Sequence, residues 1–275
     1  MSSLVTPAWL ADREESVKDG SLVLLDASIH RDDNGYRNGR GDYEAGHLPG
    51  AQFADLFGQF SDPSVSFAFA APGAPQLQMV AREVGISAGT TVVLYDRLSG
   101  AWAARLWWVF RAYGIDRVFV LDGGQSAWTS AGFDLVTGPD DGPVRTGDVS
   151  VRPRQGFFVG LDRVQALSES PSEQHPVVCA LRGSEFDRGH IPNSASLPYP
   201  DLLAPDGTVD RAKARAAAQE YADREQVVLY CGGAINAAGL ALALTEGGLS
   251  LERVTIYDGS LSEWKADPAR PLSLR

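Results

Sequence analysis

The sequence predicts an α/β protein made of two homologous lobes, each a parallel sheet flanked by helices. Short, β-branched, continuously apolar runs alternate with helical stretches, the pattern of strands covered on both faces by crossover helices. Motifs of the first half recur in the second in the same order, with offsets 47→190 = 143, 95→230 = 135 and 128→264 = 136. Such steady offsets indicate a duplicated unit and exclude a short-period solenoid. At about 150 residues per domain, a chain of 275 residues has room for both copies.

Taken along the chain, SLVLLDAS (21–28) is a strand, followed by a polar loop and the turn Gly46-His47-Leu48-Pro49. Ser61–Pro75 is rich in Pro, Gly and Ser, and reads as a long first-lobe loop whose phenylalanines pack back on the fold. VVLY (92–95) and VFVLD (118–122) are strands on either side of a helix over Ala103–Tyr113. The Gly-, Pro- and charge-rich stretch Val136–Arg154 is the linker, with the boundary near Gly142, so the expected domains are 1–142 and 143–275. In the second copy, HPVVCALR (175–182) leads to Gly189-His190-Ile191-Pro192, and VVLY (227–230) and VTIYD (254–258) flank a helix over Ala237–Glu246. Right-handed crossovers connect the parallel strands.

Composition narrows the function. Hydrophobic residues at 44% and charged residues at 21% support a sizeable core, and the net charge of 24 − 35 = −11 repels phosphate backbones and anionic lipid surfaces. Neither nucleic acid nor membrane is an expected partner. The start of the chain lacks a basic stretch followed by an apolar one, and no apolar run reaches the roughly 18 residues of a membrane span, so a cytoplasmic protein is expected. Two cysteines, Cys179 and Cys231, cannot make a disulfide framework, so each is judged by its surroundings.

Cys231 has the more telling surroundings. A buried strand ends at it, the small residues Gly232, Gly233 and Ala234 follow, and a helix begins near Asn236 or Ala237, with Asn236 a favourable N-cap type. Ligands of parallel α/β sheets bind beyond the carboxyl ends of the strands. Successive small residues let backbone N–H groups curl round an anion, and the helix N-terminus adds its positive dipole end. A thiolate held there is a nucleophile at neutral pH, and the same nest suits a persulfide anion. The competing reading, an inert Cys closing a core strand, does not account for the Gly-Gly-Ala loop.

With these residues in view, the chain resembles the tandem-domain rhodaneses, the family of thiosulfate and 3-mercaptopyruvate sulfurtransferases. The resemblance rests on GHLPGA (46–51), ARLWWVFRAYG (104–114), LDGGQSAW (121–128), GHIP (189–192) and YDGSLSEW (257–264), which span nearly the whole chain in family order. It implies two rhodanese-like lobes and transfer of sulfane sulfur from a small donor through a Cys231 persulfide. The acceptor would be cyanide, a small thiol or a protein thiol, with no metal or organic cofactor. Family members usually keep the nucleophile only in the second lobe, and the matching first-lobe residue here is Asp96.

Three positions depart from the family pattern. Thiosulfate-type members follow the cysteine with Arg-Lys and mercaptopyruvate-type members with Gly-Ser, whereas this chain has Gly232-Gly233. A family arginine that grips the anionic substrate matches Glu185, which leaves Arg182 and Arg188 as candidate substrate-binding cations beside Gly232, Gly233, Ala234, Ile235 and Asn236. Cys179 stands where the family has Asp at a strand end, and could resolve an oxidised or persulfidated Cys231 as a disulfide. The lost cations and Cys179 also support an alternative, a low-turnover sulfur-carrier or redox-sensing module.

His47 and His190, matched between a lobe with a cysteine loop and one without, read as structural histidines that fix a turn. A cysteine phosphatase is excluded because its phosphate-binding Arg would fall at Ala237. A tandem chain has less need of a partner to cover its site, so a monomer is expected.

Overall fold

A computed structural model describes residues 2–33, 35–139 and 145–275, which form two compact units. The strands of the first are β1 (Leu4–Val5), β2 (Leu22–Asp26), β3 (Ile29–Asp32), β4 (Gly35–Asn38), β5 (Ala51–Phe53), β6 (Thr91–Tyr95) and β7 (Val118–Leu121). Those of the second are β8 (Phe158–Val159), β9 (Val177–Cys179), β10 (Ala195–Ser196), β11 (Val227–Tyr230) and β12 (Val254–Tyr257). The first unit has a parallel sheet in the order β1-β7-β6-β2-β5 and a β3-β4 hairpin; the second has a parallel sheet in the order β10-β9-β11-β12-β8. Read from the opposite edge, the first order is β5-β2-β6-β7-β1, so each strand has a counterpart at the same place. The duplication read from the motifs is therefore a duplication of topology.

The expected boundary at Gly142 lies outside the described residues. Residues 145–153 run along the first unit, where the amides of Gly147 and Val149 donate to the carbonyls of Arg82 and Ile86 and Arg82 Nε donates back to Val149. The first unit extends to Pro153. The Ser61–Pro75 loop does not pack wholly on its own lobe, because Pro63–Ala70 belongs to the second unit. Sequence distance hides that exchange, since a segment without apolar periodicity carries no signal of which surface it covers.

Both central helices start earlier than the sequence suggests, at Ala101 and at Ile235, and end at Ala112 and Glu246. Their N-caps, Gly100 (φ 73°) and Ala234 (φ 63°), are left-handed, a conformation that leaves the first helical amides pointing back over the strand ends. Asn236 is consequently the second helical residue and not the cap. Glycine at 100 adopts this geometry freely, whereas Ala234 pays about 1 kcal/mol for it.

Each unit buries the same kind of core. Tyr43, Leu48, Tyr95 and Trp128 cluster in the first, and Phe186, Ile191, Tyr230 and Trp264 in the second. Tyr95 accepts a hydrogen bond at its hydroxyl from the Leu48 amide (3.1 Å), as Tyr230 does from Ile191 (3.1 Å). His47 and His190 stack on Tyr43 and Phe186 with ring centroids 3.9 and 3.7 Å apart, and donate from Nδ1 to the carbonyls of those same residues at 2.9 Å. A carbonyl partner fixes the Nδ1–H tautomer, and each histidine pins its turn to the preceding helix. Trp107, Trp108 and Trp264 are almost fully buried.

Candidate functional site

The second sheet changes direction between β9 and β11: from β9 the chain goes to β10 on one side and then to β11 on the other. That switch point is where an α/β sheet opens a crevice at its carboxyl edge. Cys231 follows β11 there, and the segment after β9 supplies Leu181, Glu185 and Arg188. Those three, with Gly232, Leu261, Ser262 and Lys265, line a cleft of about 430 Å³ that adjoins Cys231 in sequence, though Cys231 itself is not in its wall. Of the two candidate arginines, Arg188 reaches this cleft; Arg182 is the exposed N-cap of Gly183–Asp187 and is not in its wall.

The loop of Cys231 is held from the β12 side. Ser260, left-handed at φ 49° and fully buried, donates from Oγ to the Tyr257 carbonyl (2.9 Å) and accepts from the amides of Cys231 (3.2 Å) and Ala234 (3.1 Å). Three hydrogen bonds at one hydroxyl offset the backbone strain of a non-glycine residue in that region. Gly232 is tied down by the amide and hydroxyl of Ser262, both donating to its carbonyl at 2.9 and 2.7 Å. The Leu261 amide does the same for the Cys231 carbonyl (3.0 Å).

These bonds correct the expected anion-binding set. The Ala234 amide is committed to Ser260, while the amides of Gly232, Gly233, Ile235, Asn236 and Ala237 have no intramolecular acceptor among the described residues. Ser260 and Ala237 were not singled out in the sequence. For Ser260 the signal was present, because YDGSLSEW carries Ser where the matching first-lobe motif LDGGQSAW carries Gly124, also left-handed at φ 55°.

The first unit shows what such a loop holds. Asp96 follows β6 as Cys231 follows β11, and its carboxylate collects five backbone amides: Leu98 (2.8 Å), Ser99 (3.0 Å) and Gly100 (3.0 Å) on Oδ1, and Trp102 and Ala103 (both 3.0 Å) on Oδ2. Trp102 and Ala103 are the second and third residues of their helix, the places that Asn236 and Ala237 occupy in the second unit. An anion at the strand end satisfies amides that a helix start otherwise leaves unpaired.

Cys231 is 2% exposed. A side chain at Gly233 would touch the Ala68 carbonyl and the Phe69 ring at 3.6 and 3.7 Å, which places Pro63–Ala70 against this loop. Cys179 is fully buried, pairs with Tyr230 across β9 and β11, and burial pushes its thiol up to about 11, with the Leu181 amide and then the Tyr230 hydroxyl opposing the shift. That is the wrong direction for a resolving thiol, which attacks as thiolate. The burial of Cys179 and the direction of that shift weigh against the Cys179–Cys231 relay.

The rhodanese-like domain profile matches residues 6–131 and again 164–267. A probable 3-mercaptopyruvate sulfurtransferase of Pseudomonas aeruginosa is 31% identical over 99% of this chain and 98% of its own. A putative thiosulfate sulfurtransferase of Mycobacterium tuberculosis is 32% identical over 98% and 96%, and the human 3-mercaptopyruvate sulfurtransferase 30% over 95% and 91%. The crystal structure of SseA from Escherichia coli superposes with a TM-score of 0.81 at 24% identity, covering 94% of this chain and 99% of that one.

Proposed function

This chain belongs to the rhodanese family and is a sulfurtransferase, and from that premise we propose that it relays sulfane sulfur from a small anionic donor to a thiophilic acceptor through a persulfide on Cys231. The observation that carries the assignment to Cys231 is the paired loop: the first copy houses a carboxylate on five amides, and the second presents a thiol at the matched place with unspent amides around it. In the first half-reaction the Cys231 thiolate attacks the transferable sulfur and a new S–S bond forms. The bond to the rest of the donor breaks with its electron pair, leaving sulfite from thiosulfate, or the pyruvate enolate, which takes a proton from solvent, from 3-mercaptopyruvate. In the second, cyanide, a small thiol or a protein thiol removes the outer sulfur and Cys231 returns as thiolate. Unspent amides that stabilise both anionic forms are electrostatic preorganisation.

The cleft favours 3-mercaptopyruvate over thiosulfate. Arg188 and Lys265 attract a carboxylate, while Glu185, on the same wall, opposes the second charge of a dianion. The near-complete burial of Cys231 supports a second reading, a carrier that loads sulfur and turns over slowly. Mass spectrometry of the protein after incubation with each donor tests both. One added sulfur atom on Cys231, discharged by an acceptor over many cycles, is expected; loading without repeated discharge selects the carrier. Cys231→Ser should lower transfer by on the order of 10³-fold or more, and full activity in that variant refutes the assignment.

Among the described residues no helix is long and apolar enough to cross a membrane. The cytoplasmic, monomeric state expected from the sequence is part of this proposal, as are the domain limits 1–142 and 143–275.

A further inference from the structure

Cys231 is 2% exposed, so a small molecule reaches its sulfur only when part of its cover moves. The two glycines after it face different surroundings. Gly232 borders the open cleft, and a side chain there would meet nothing within 4 Å; one at Gly233 would touch the Ala68 carbonyl and the Phe69 ring. Both contacts come from Pro63–Ala70, an uncharged stretch, PSVSFAFA, that forms neither helix nor strand. The chain is pinned on either side of it. Gln76 Nε2 donates to the Ser61 carbonyl (2.8 Å) and the Tyr113 hydroxyl to the Pro72 carbonyl (2.6 Å). Between these posts the first four residues of the stretch are exposed, Phe67 and Phe69 are half-buried, and only Ala70 is buried. Phe69 is also left-handed at φ 63°, a strained conformation for a bulky residue that persists only where its surroundings impose it. Fixed ends, little burial between them and strain at the point of contact are the properties of a segment that opens locally while the fold stays intact.

We propose that Pro63–Ala70 is a gate over the Cys231 loop. In the closed state Phe69 sits against Gly233; the segment swings on Ser61 and Pro72 to let donor and acceptor reach the sulfur, and closes over Cys231 between the two half-reactions. The geometry stands without any particular chemistry at Cys231, but the gate's purpose rests on the persulfide reading. An outer sulfur shut away from solvent is kept from stray thiols until the gate opens. Phe69 is then a positioning residue for the closed state and takes no part in bond making.

Alkylation of the native full chain with iodoacetamide, read at each cysteine by peptide mass spectrometry, tests the gate with Cys179 as internal reference. Cys179 is fully buried in the same unit and reports its global opening. In the wild-type chain the Cys231 rate should stay flat at low urea, because a local opening exposes little surface, while the Cys179 rate climbs. Phe69→Ala should speed Cys231 alkylation about tenfold and leave Cys179 unchanged, and Gln76→Ala, which loosens a post, should speed it by a smaller factor. A shared urea dependence of the two cysteines overturns the proposal, as does a Cys231 rate that Phe69→Ala leaves unaltered or raises no more than that of Cys179. The urea series needs no variant, so it decides even if Phe69→Ala fails to fold. Gated alkylation in a chain that never gains sulfur on Cys231 upholds the gate and sinks the persulfide reading; sulfur loading with ungated alkylation does the reverse.

Discussion

The loops after β6 and after β11 are two solutions to one problem. Each leads from a buried parallel strand into a twelve-residue helix through a left-handed cap, and each leaves helix-start amides aimed at the strand end. The first loop, residues 96–100, fills that place with its own Asp96 carboxylate, and five amides are permanently spent. The second, residues 231–234, is one residue shorter, places a thiol there and fastens itself from outside through Ser260. The fold builds this strand-to-helix loop twice, and under the proposed persulfide reading the residue inside decides whether it is a brace or a reactive centre. A carboxylate braces because its two oxygens accept all five amides together, whereas sulfur accepts and releases a second atom.

The comparison breaks most visibly at Asp96. Asp96→Ala leaves five amides, two of them fully buried, without their acceptor and should cost about 3–5 kcal/mol in urea unfolding. A loss below about 1 kcal/mol would mean that the carboxylate is not what holds the first loop. Next in size is Ser260→Ala, which frees the Cys231 and Ala234 amides. Sulfur transfer should fall about tenfold, the equivalent of one hydrogen bond of roughly 1.4 kcal/mol. The pH profile of Cys231 alkylation should move to higher pH as the cradle loosens, a change that simple destabilisation does not produce. An unshifted profile would make Ser260 a brace for the backbone alone.

The smallest effect concerns the neighbouring strand ends, where the first unit has Asp26 and the second Cys179. Burial raises both groups, and it raises Cys179 to about 11. A raised thiol pKa means less thiolate near neutral pH, and the fraction grows as pH climbs toward 11. Native protein at pH 8 should therefore consume one equivalent of a small alkylating reagent, and two after denaturation. Rapid loss of both thiols in the native state would show that Cys179 is open to redox chemistry after all.

Much of this was legible in the chain because duplication writes its own alignment. Continuously apolar, β-branched runs and recurring Gly-His-Leu/Ile-Pro turns exposed both sheets, and a cysteine between a β-branched strand and small residues pointed to the candidate site. The limits of that reading are instructive. Asn236 looked like a cap by residue type, yet Ala234 takes the cap through a backbone angle that no propensity for alanine predicts. Arg182 and Arg188 were equivalent in sequence, flanking the two ends of a five-residue helix, and only Arg188 lines the cleft. Lys265 and Ser260 belong to a motif far along the chain, so nothing local ties them to Cys231.

By itself the sequence determined the duplicated α/β architecture and the rhodanese family to which the chain belongs. Those are properties of periodicity, order and composition, which survive without coordinates. Only the tertiary structure decided which amides remain unspent, which charges share a cleft, and that a stretch of the first half, Pro63–Ala70, lies against the Cys231 loop. The physical reason is that hydrogen-bond satisfaction and charge pairing depend on distances of a few ångströms between residues far apart in the chain, and sequence spacing does not encode such distances.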